Sequence, residues 1–119
     1  MSKPQTMLQL SGRSYAPATL ANATLVVIDV QEEYRTGTLA LPNLTSALEQ
    51  VSELLTAARA AGAPIVHVHH LGIPGGLFDP QGLRGQIMPE AAPLPGETVI
   101  GKTLPNAFAG TRLHELLQQ

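Results

Sequence analysis

The run Thr24-Leu25-Val26-Val27-Ile28-Asp29-Val30 restricts the folds open to this chain more than any other stretch. It is apolar and β-branched, without the alternation of a strand that has one wet face. Such a run suits a strand covered on both faces, as in a parallel sheet with helices above and below it. Nothing between Leu25 and Ile28 blunts an exposed edge: there is no Lys, no Pro and no bulge glycine. The run is therefore expected to lie centrally, with a neighbouring strand on each side.

The remaining elements follow from periodicity and punctuation. Leu44, Leu48, Val51, Leu54, Leu55 and Ala58 fall on one helical stripe, which predicts a helix over 43–61. Asn43, or the Ser46–Glu49 pair at capping-box spacing, would start it; Gly62 and Pro64 would end it. Residues 64–70 and 97–102 read as two further strands, and residues 108–117 as a last helix with Leu113, Leu116 and Leu117 inward. Between these strands lies a long Gly- and Pro-rich loop, unusual unless functional. The order strand, helix, strand, loop, strand, helix predicts parallel strands in an α/β layered fold. Residues 1–22, polar and carrying Pro4, Gly12 and Pro17, read as an irregular arm; residues 23–119 read as the α/β domain. Only three strands are visible, so the sheet is expected to be incomplete here and finished by further chain or by another subunit.

Composition excludes several classes. Seven basic and nine acidic residues give a net charge of −2, and the basic ones are scattered singly. That leaves no stripe for nucleic acid and no polybasic patch for a membrane. With no cysteine, a disulfide scaffold and a thiolate zinc site are excluded within these 119 residues. The first residues lack the apolar stretch of a signal peptide, and the longest apolar run, Leu25–Ile28, is far too short to span a bilayer. A cytoplasmic protein acting on a small molecule is the expectation.

In an open parallel sheet, ligands bind beyond the carboxyl ends of the strands. Asp29 ends the first strand here, followed by Gln31 and Tyr34; His69 and His70 end the second; Lys102 ends the third. An Asp within an apolar strand either caps a neighbouring segment or serves as a base. Burial raises a carboxyl pKa and an adjacent ammonium lowers it, so an Asp29 facing Lys102 would stay ionised in a proton-transfer site. A lone Lys at a strand end is ordinarily a solvated surface residue; a cleft shared with Asp29 is what would make Lys102 functional. His67 and His69 share a strand face, but the sequence offers no third ligand at zinc spacing, so no metal is expected. His69 and His70 are expected to line a substrate pocket. There is no G-x-G-x-x-G, no Walker pattern and no G-x-S-x-G elbow. A dinucleotide module and a serine hydrolase are thus disfavoured, and no cofactor is expected.

Three segments, in order, resemble the isochorismatase-like (cysteine hydrolase) family over roughly residues 20–117. They are Leu25-Val26-Val27-Ile28-Asp29-Val30-Gln31, the helix end Ala57–Pro64 running into Ile65–His70, and Gly96–Lys102 followed by Asn106–Leu113. The resemblance implies a three-layer α/β/α Rossmann-like sandwich with a mostly parallel sheet, and commonly a homo-oligomer. It also implies an Asp-Lys-Cys triad cleaving an amide or related C–N bond. Asp29 would match the acid that activates the thiol, and Lys102 the lysine that supports developing charge. Gln31, Tyr34, His69, His70 and Phe108 would contact substrate. The family's cysteine sits at a helix start after the next strand, where a thiolate is favoured and backbone amides form an oxyanion hole; no such segment is present in these 119 residues. The metal-binding D-x-H…H of the nicotinamidase branch is absent from residues 71–80. Two alternatives stay open: a catalytically inactive fragment or subunit, and a cysteine-independent hydrolase of a vinyl ether, working through acid catalysis by the Asp.

Overall fold

Parallel pairing in the computed structural model, which describes residues 3–13 and 16–119, builds one sheet in the order β1 (Leu25–Ile28), β2 (Ile65–His70), β3 (Thr98–Lys102). Both faces of β2 are covered. On one face Val66 and Val68 pack with Ile100, Ala107 and Leu113, with Val26 against them. On the other, Ile65 packs with Leu55, Ala58 and Ala91, joined by Leu25 and Val27. This is why these strands read as continuous apolar runs: alternate residues enter different cores. The layers are those of an α/β/α sandwich.

The first strand does not lie centrally among the described residues. β1 pairs with β2 alone, and β2 takes the middle. The far edge of β1 carries no partner strand among the described residues, and Ile28 is 49% exposed. The missing edge protection seen in the sequence is thus real, but its cover is not supplied within this sheet.

Helix α2 (Leu44–Ala60) buries Leu48, Leu55 and Ala58, while Leu54 stays outside. Asn43 is the N-cap residue; it adopts φ 58° and makes no side-chain capping bond. Asn tolerates that left-handed turn, which explains its presence there. Ser46 and Glu49 lie inside the helix. Gly62, at φ 69°, takes the left-handed position after the helix, as expected. The last helix, α3, is shorter than its pattern predicts, Leu113–Leu117. Asn106 Oδ1 accepts from the Phe108 N–H and Gly110 turns at φ 68°, so residues 106–112 form turns instead. Leu113 is buried, and Leu117 faces out. In the N-terminal arm one exposed turn, α1 (Met7–Leu10), is capped by Thr6 and Gln9, and a 3₁₀ turn, Leu20–Asn22, precedes β1. No helix among the described residues is long and apolar enough to cross a membrane.

The long loop is ordered by the segment after β1. Glu32 N–H donates to the Gln86 carbonyl and Met88 N–H to the Val30 carbonyl, each at 2.9 Å, and Gln31 bridges Ile87 in antiparallel fashion. Two 3₁₀ turns, Leu83–Gly85 and Pro89–Ala91, lie within it.

Glu97, just before β3, ties three elements together. It accepts from Arg59 Nε and Nη2 at 2.8 and 2.9 Å and lies 2.9 Å from His67 Nε2. Since Glu97 only accepts, Nε2 carries the proton; Nδ1 of this buried ring has no hydrogen-bond partner. The Arg59 bond, first among the causes, lowers the Glu97 carboxyl from its ordinary 4.5 to about 2. A folded pKa below the unfolded one contributes stability above the unfolded value and loses it as pH falls toward the folded value. Urea denaturation should therefore show stability falling between pH 4.5 and about 2, with a shallower fall in Glu97→Gln. Equal slopes in the two proteins would remove Glu97 as a cause.

Candidate active site

Strict alternation would put Asp29 on the Leu25–Val27 face of the sheet, opposite Lys102. The backbone prevents this. Asp29 N–H still donates to the Val68 carbonyl at 2.9 Å, but its φ is 58°, so the chain leaves the extended path at this residue. Its carboxylate then reaches across the end of β2: Oδ2 lies 3.2 Å from Lys102 Nζ. A non-glycine residue held left-handed costs about 1 kcal/mol or more and persists where its surroundings enforce it, often at functional sites.

Lys102 is only 3% exposed. An ammonium carries three N–H donors, and three acceptors surround this one: Asp29 Oδ2, His70 Nδ1 at 3.0 Å and the Leu104 carbonyl at 3.3 Å. The other Asp29 oxygen, Oδ1, is buried and has no hydrogen-bond partner. One carboxylate oxygen is thus occupied by the lysine and the other is free to accept a proton or a donor. Asp29 also borders an open apolar cleft of about 300 Å³ with Ile28, Tyr34, Leu41, Leu44 and Met88, beside the unpaired edge of β1.

The other residues singled out in the sequence take different places. Tyr34 lies near the pair: burial first, then the charges of Asp29 and Glu33, raise its hydroxyl above its ordinary pKa. Gln31 is fully buried and does not face the cleft. Its amide donates to the His70 and Gly85 carbonyls at 2.9 Å and accepts from the His70 N–H at 2.8 Å. It imitates a strand partner for the end of β2, which makes it a positioning residue. His69 points to the opposite face of β2 from His70 and lines a separate cleft of about 250 Å³ with Leu71, Pro80, Gln86 and Ile87. Burial lowers its pKa, and the Asp29 charge partly offsets this. Phe108 stands half exposed on the turn after β3, outside the ring cluster beside the pair. Among the described residues no three His, Cys, Asp or Glu side chains come together as metal ligands.

Phe78 is the residue that sequence reasoning missed. Its ring meets Tyr34 and His70 edge-on, each with centroids 5.3 Å apart. Its φ is 52°, a genuine outlier for an aromatic residue. The buried carboxylate of Glu33 holds it there, accepting from the Phe78 N–H at 2.9 Å and the Thr38 N–H at 2.8 Å. Gly37 is needed beside it, because a Cβ at that position would overlap the Glu33 carboxylate. The only sequence signal was a single aromatic residue inside a loop rich in Gly and Pro.

The isochorismatase domain family matches residues 23–119. The structure is similar to that of an isochorismatase from Pseudomonas putida KT2440, with 52% identity and a TM-score of 0.89, over 98% of this chain and 60% of that one. A secreted isochorismatase effector, Isc1, of Verticillium dahliae is 38% identical over 120 residues, 100% of this chain and 62% of that protein. An N-carbamoylsarcosine amidase from Thermoplasma acidophilum is 25% identical, with a TM-score of 0.73, over 80% of this chain and 60% of that one. The chain therefore spans less than two thirds of the length of each.

Gln31→Leu is close in size and removes three hydrogen bonds, taking those partners from the buried Gly85 carbonyl and the partly buried His70 N–H and carbonyl. Each such group costs about 1–3 kcal/mol. Denaturant unfolding should show a loss of at least about 2 kcal/mol on that scale; a change within error would contradict the positioning role.

Proposed function

The chain belongs to the isochorismatase family, and from that premise we propose that Asp29 and Lys102 are the acid–base half of a hydrolytic site for a small molecule. The bond cleaved is an amide or a related C–N bond. The observation that carries the reading is the divided carboxylate: Oδ2 rests on Lys102 while Oδ1 is buried with no partner. A carboxylate so held is oriented to take a proton from a nucleophile without losing its lysine. The nucleophile comes from outside these residues, which contain no cysteine. A strand added to the free edge of β1 would deliver it beside Asp29. Attack by a thiolate then forms an acyl intermediate, and Asp29 returns the proton to the leaving nitrogen. Lys102 supports the charge that develops as the carbonyl opens. An amidase among the similar structures favours C–N chemistry. Tyr34 and the apolar walls of the neighbouring cleft would contact substrate, with Phe78 backing Tyr34.

A second reading has its own support. One relative matching the whole chain is named an isochorismatase effector, and a free Asp29 oxygen able to carry a proton suits acid catalysis on a vinyl ether. In that case no thiol is required.

The test uses this chain joined to the part of the Pseudomonas putida relative that lies outside the match. The joined protein should hydrolyse members of a panel of small amides. Asp29→Asn and Lys102→Ala should each lower turnover at least about a hundredfold, the scale of a positioned acid–base group. Unchanged rates in both variants would overturn the assignment. Isochorismate cleavage by the joined protein with every cysteine of the added part replaced would favour the second reading.

A further inference from the structure

We propose that His70 is a positioning residue for Lys102: its neutral imidazole is the acceptor that holds the ammonium in place while Asp29 carries a proton. The proposal rests on the reading of Asp29 and Lys102 given above and adds a residue to it.

Of the three acceptors around Lys102 Nζ, His70 Nδ1 is the nearest, at 3.0 Å. An ammonium has only donors, so Nδ1 must present a bare lone pair. The ring proton then sits on Nε2 and the imidazole is neutral. A ring protonated at both nitrogens would set two donors face to face at that distance.

The ring is also fixed before any chemistry begins. Gln31 binds the His70 N–H and carbonyl together, at 2.8 and 2.9 Å. Phe78 meets the ring edge-on at 68°, and Phe78 is itself held in a left-handed conformation by Glu33. A preorganised acceptor of this kind costs no rearrangement when it is needed.

The need arises when Asp29 takes up a proton. Lys102 is then a buried ammonium with no anion beside it, which is costly unless hydrogen-bonded. His70 Nδ1 and the Leu104 carbonyl remain as its acceptors. Because neither is charged, neither draws Lys102 away from the Asp29 side of the pocket. This explains why the second strand ends on an imidazole at this register, opposite Lys102 on β3. With Nδ1 held by Lys102, Nε2 is the His70 nitrogen left to meet a substrate.

The ionisable groups facing His70 are Lys102 on β3, Asp29 after β1 and, behind Phe78, Tyr34 and Glu33. Nuclear magnetic resonance on the ¹⁵N-labelled 119-residue chain tests the proposal without any turnover, so its failure is separable from failure of the hydrolytic reading. In the unsubstituted protein, His70 should show the Nε2–H tautomer, and the Lys102 Nζ signal should shift with the same midpoint as the His70 ring when pH is lowered. An Nδ1–H tautomer, or unrelated midpoints, would overturn the proposal whether or not any variant folds. Asp29→Asn, which imitates the protonated acid, should keep a slowly exchanging Lys102 ammonium. His70→Asn keeps an acceptor near the Nδ1 position and should keep it as well. His70→Phe should speed its exchange at least about tenfold, the scale of one lost hydrogen bond to a charged group. Wild-type exchange in a folded His70→Phe protein, or loss of the signal in Asp29→Asn alone, would contradict it.

Discussion

The contact between the Asp29 carboxylate and the Lys102 ammonium, 3.2 Å across the end of β2, is what the rest of the structure is arranged around. A buried ion pair contributes little to stability on its own, because desolvation offsets the attraction. It persists when its remaining donors and acceptors are matched. Here the sheet register does part of that work. Pairing of His70 with Lys102 brings the ends of β2 and β3 level, and β1 stops two residues short of them, at Ile28 opposite Val68. The left-handed turn at Asp29 does the rest by carrying the acid to the face where Lys102 lies.

Around that contact the loop after β2 behaves as a second wall rather than a tether. Gln31 occupies the place of a strand partner for His70, and the Glu33 carboxylate fixes both the 37–38 turn and Phe78. The side chains of Gln31 and Glu33 are thereby committed to backbone groups. The burial of the Glu33 carboxylate is tolerable because the Thr38 and Phe78 N–H groups meet its oxygens directly. The cost of the strained Phe78 conformation is borne by this scaffold, and the outcome is a fixed ring behind both Tyr34 and His70.

The parts legible in the sequence were those written in local pattern. The apolar run at 24–30, the stripe from Leu44 to Ala58 and the stop at Gly62 each report an interaction with near neighbours, and each element stands where its pattern put it. The meeting of Asp29 and Lys102 was legible too, because parallel strands bring their carboxyl ends together. What escaped was set mainly by long-range contacts. Phe78 depends on Glu33, 45 residues away in sequence. Gln31 reads like any polar residue after a strand until its 2.9 Å bond to Gly85, 54 residues on, is seen. Phe108 turned outward because Asn106 and Gly110 interrupt the helix its spacing suggested. The open edge of β1 was foreshadowed: its apolar run asks for a neighbour on each side, and only three strands could be read from the sequence.

A double-mutant cycle on stability probes the Asp29–Lys102 contact most directly. Asp29→Asn, Lys102→Met and the double variant would be unfolded in urea beside the parent protein. If the two side chains share one pocket, the double variant loses less stability than the sum of the single losses, by more than about 0.5 kcal/mol. Losses that add to within about 0.3 kcal/mol would mean that the two groups do not interact, and the site described here would not exist.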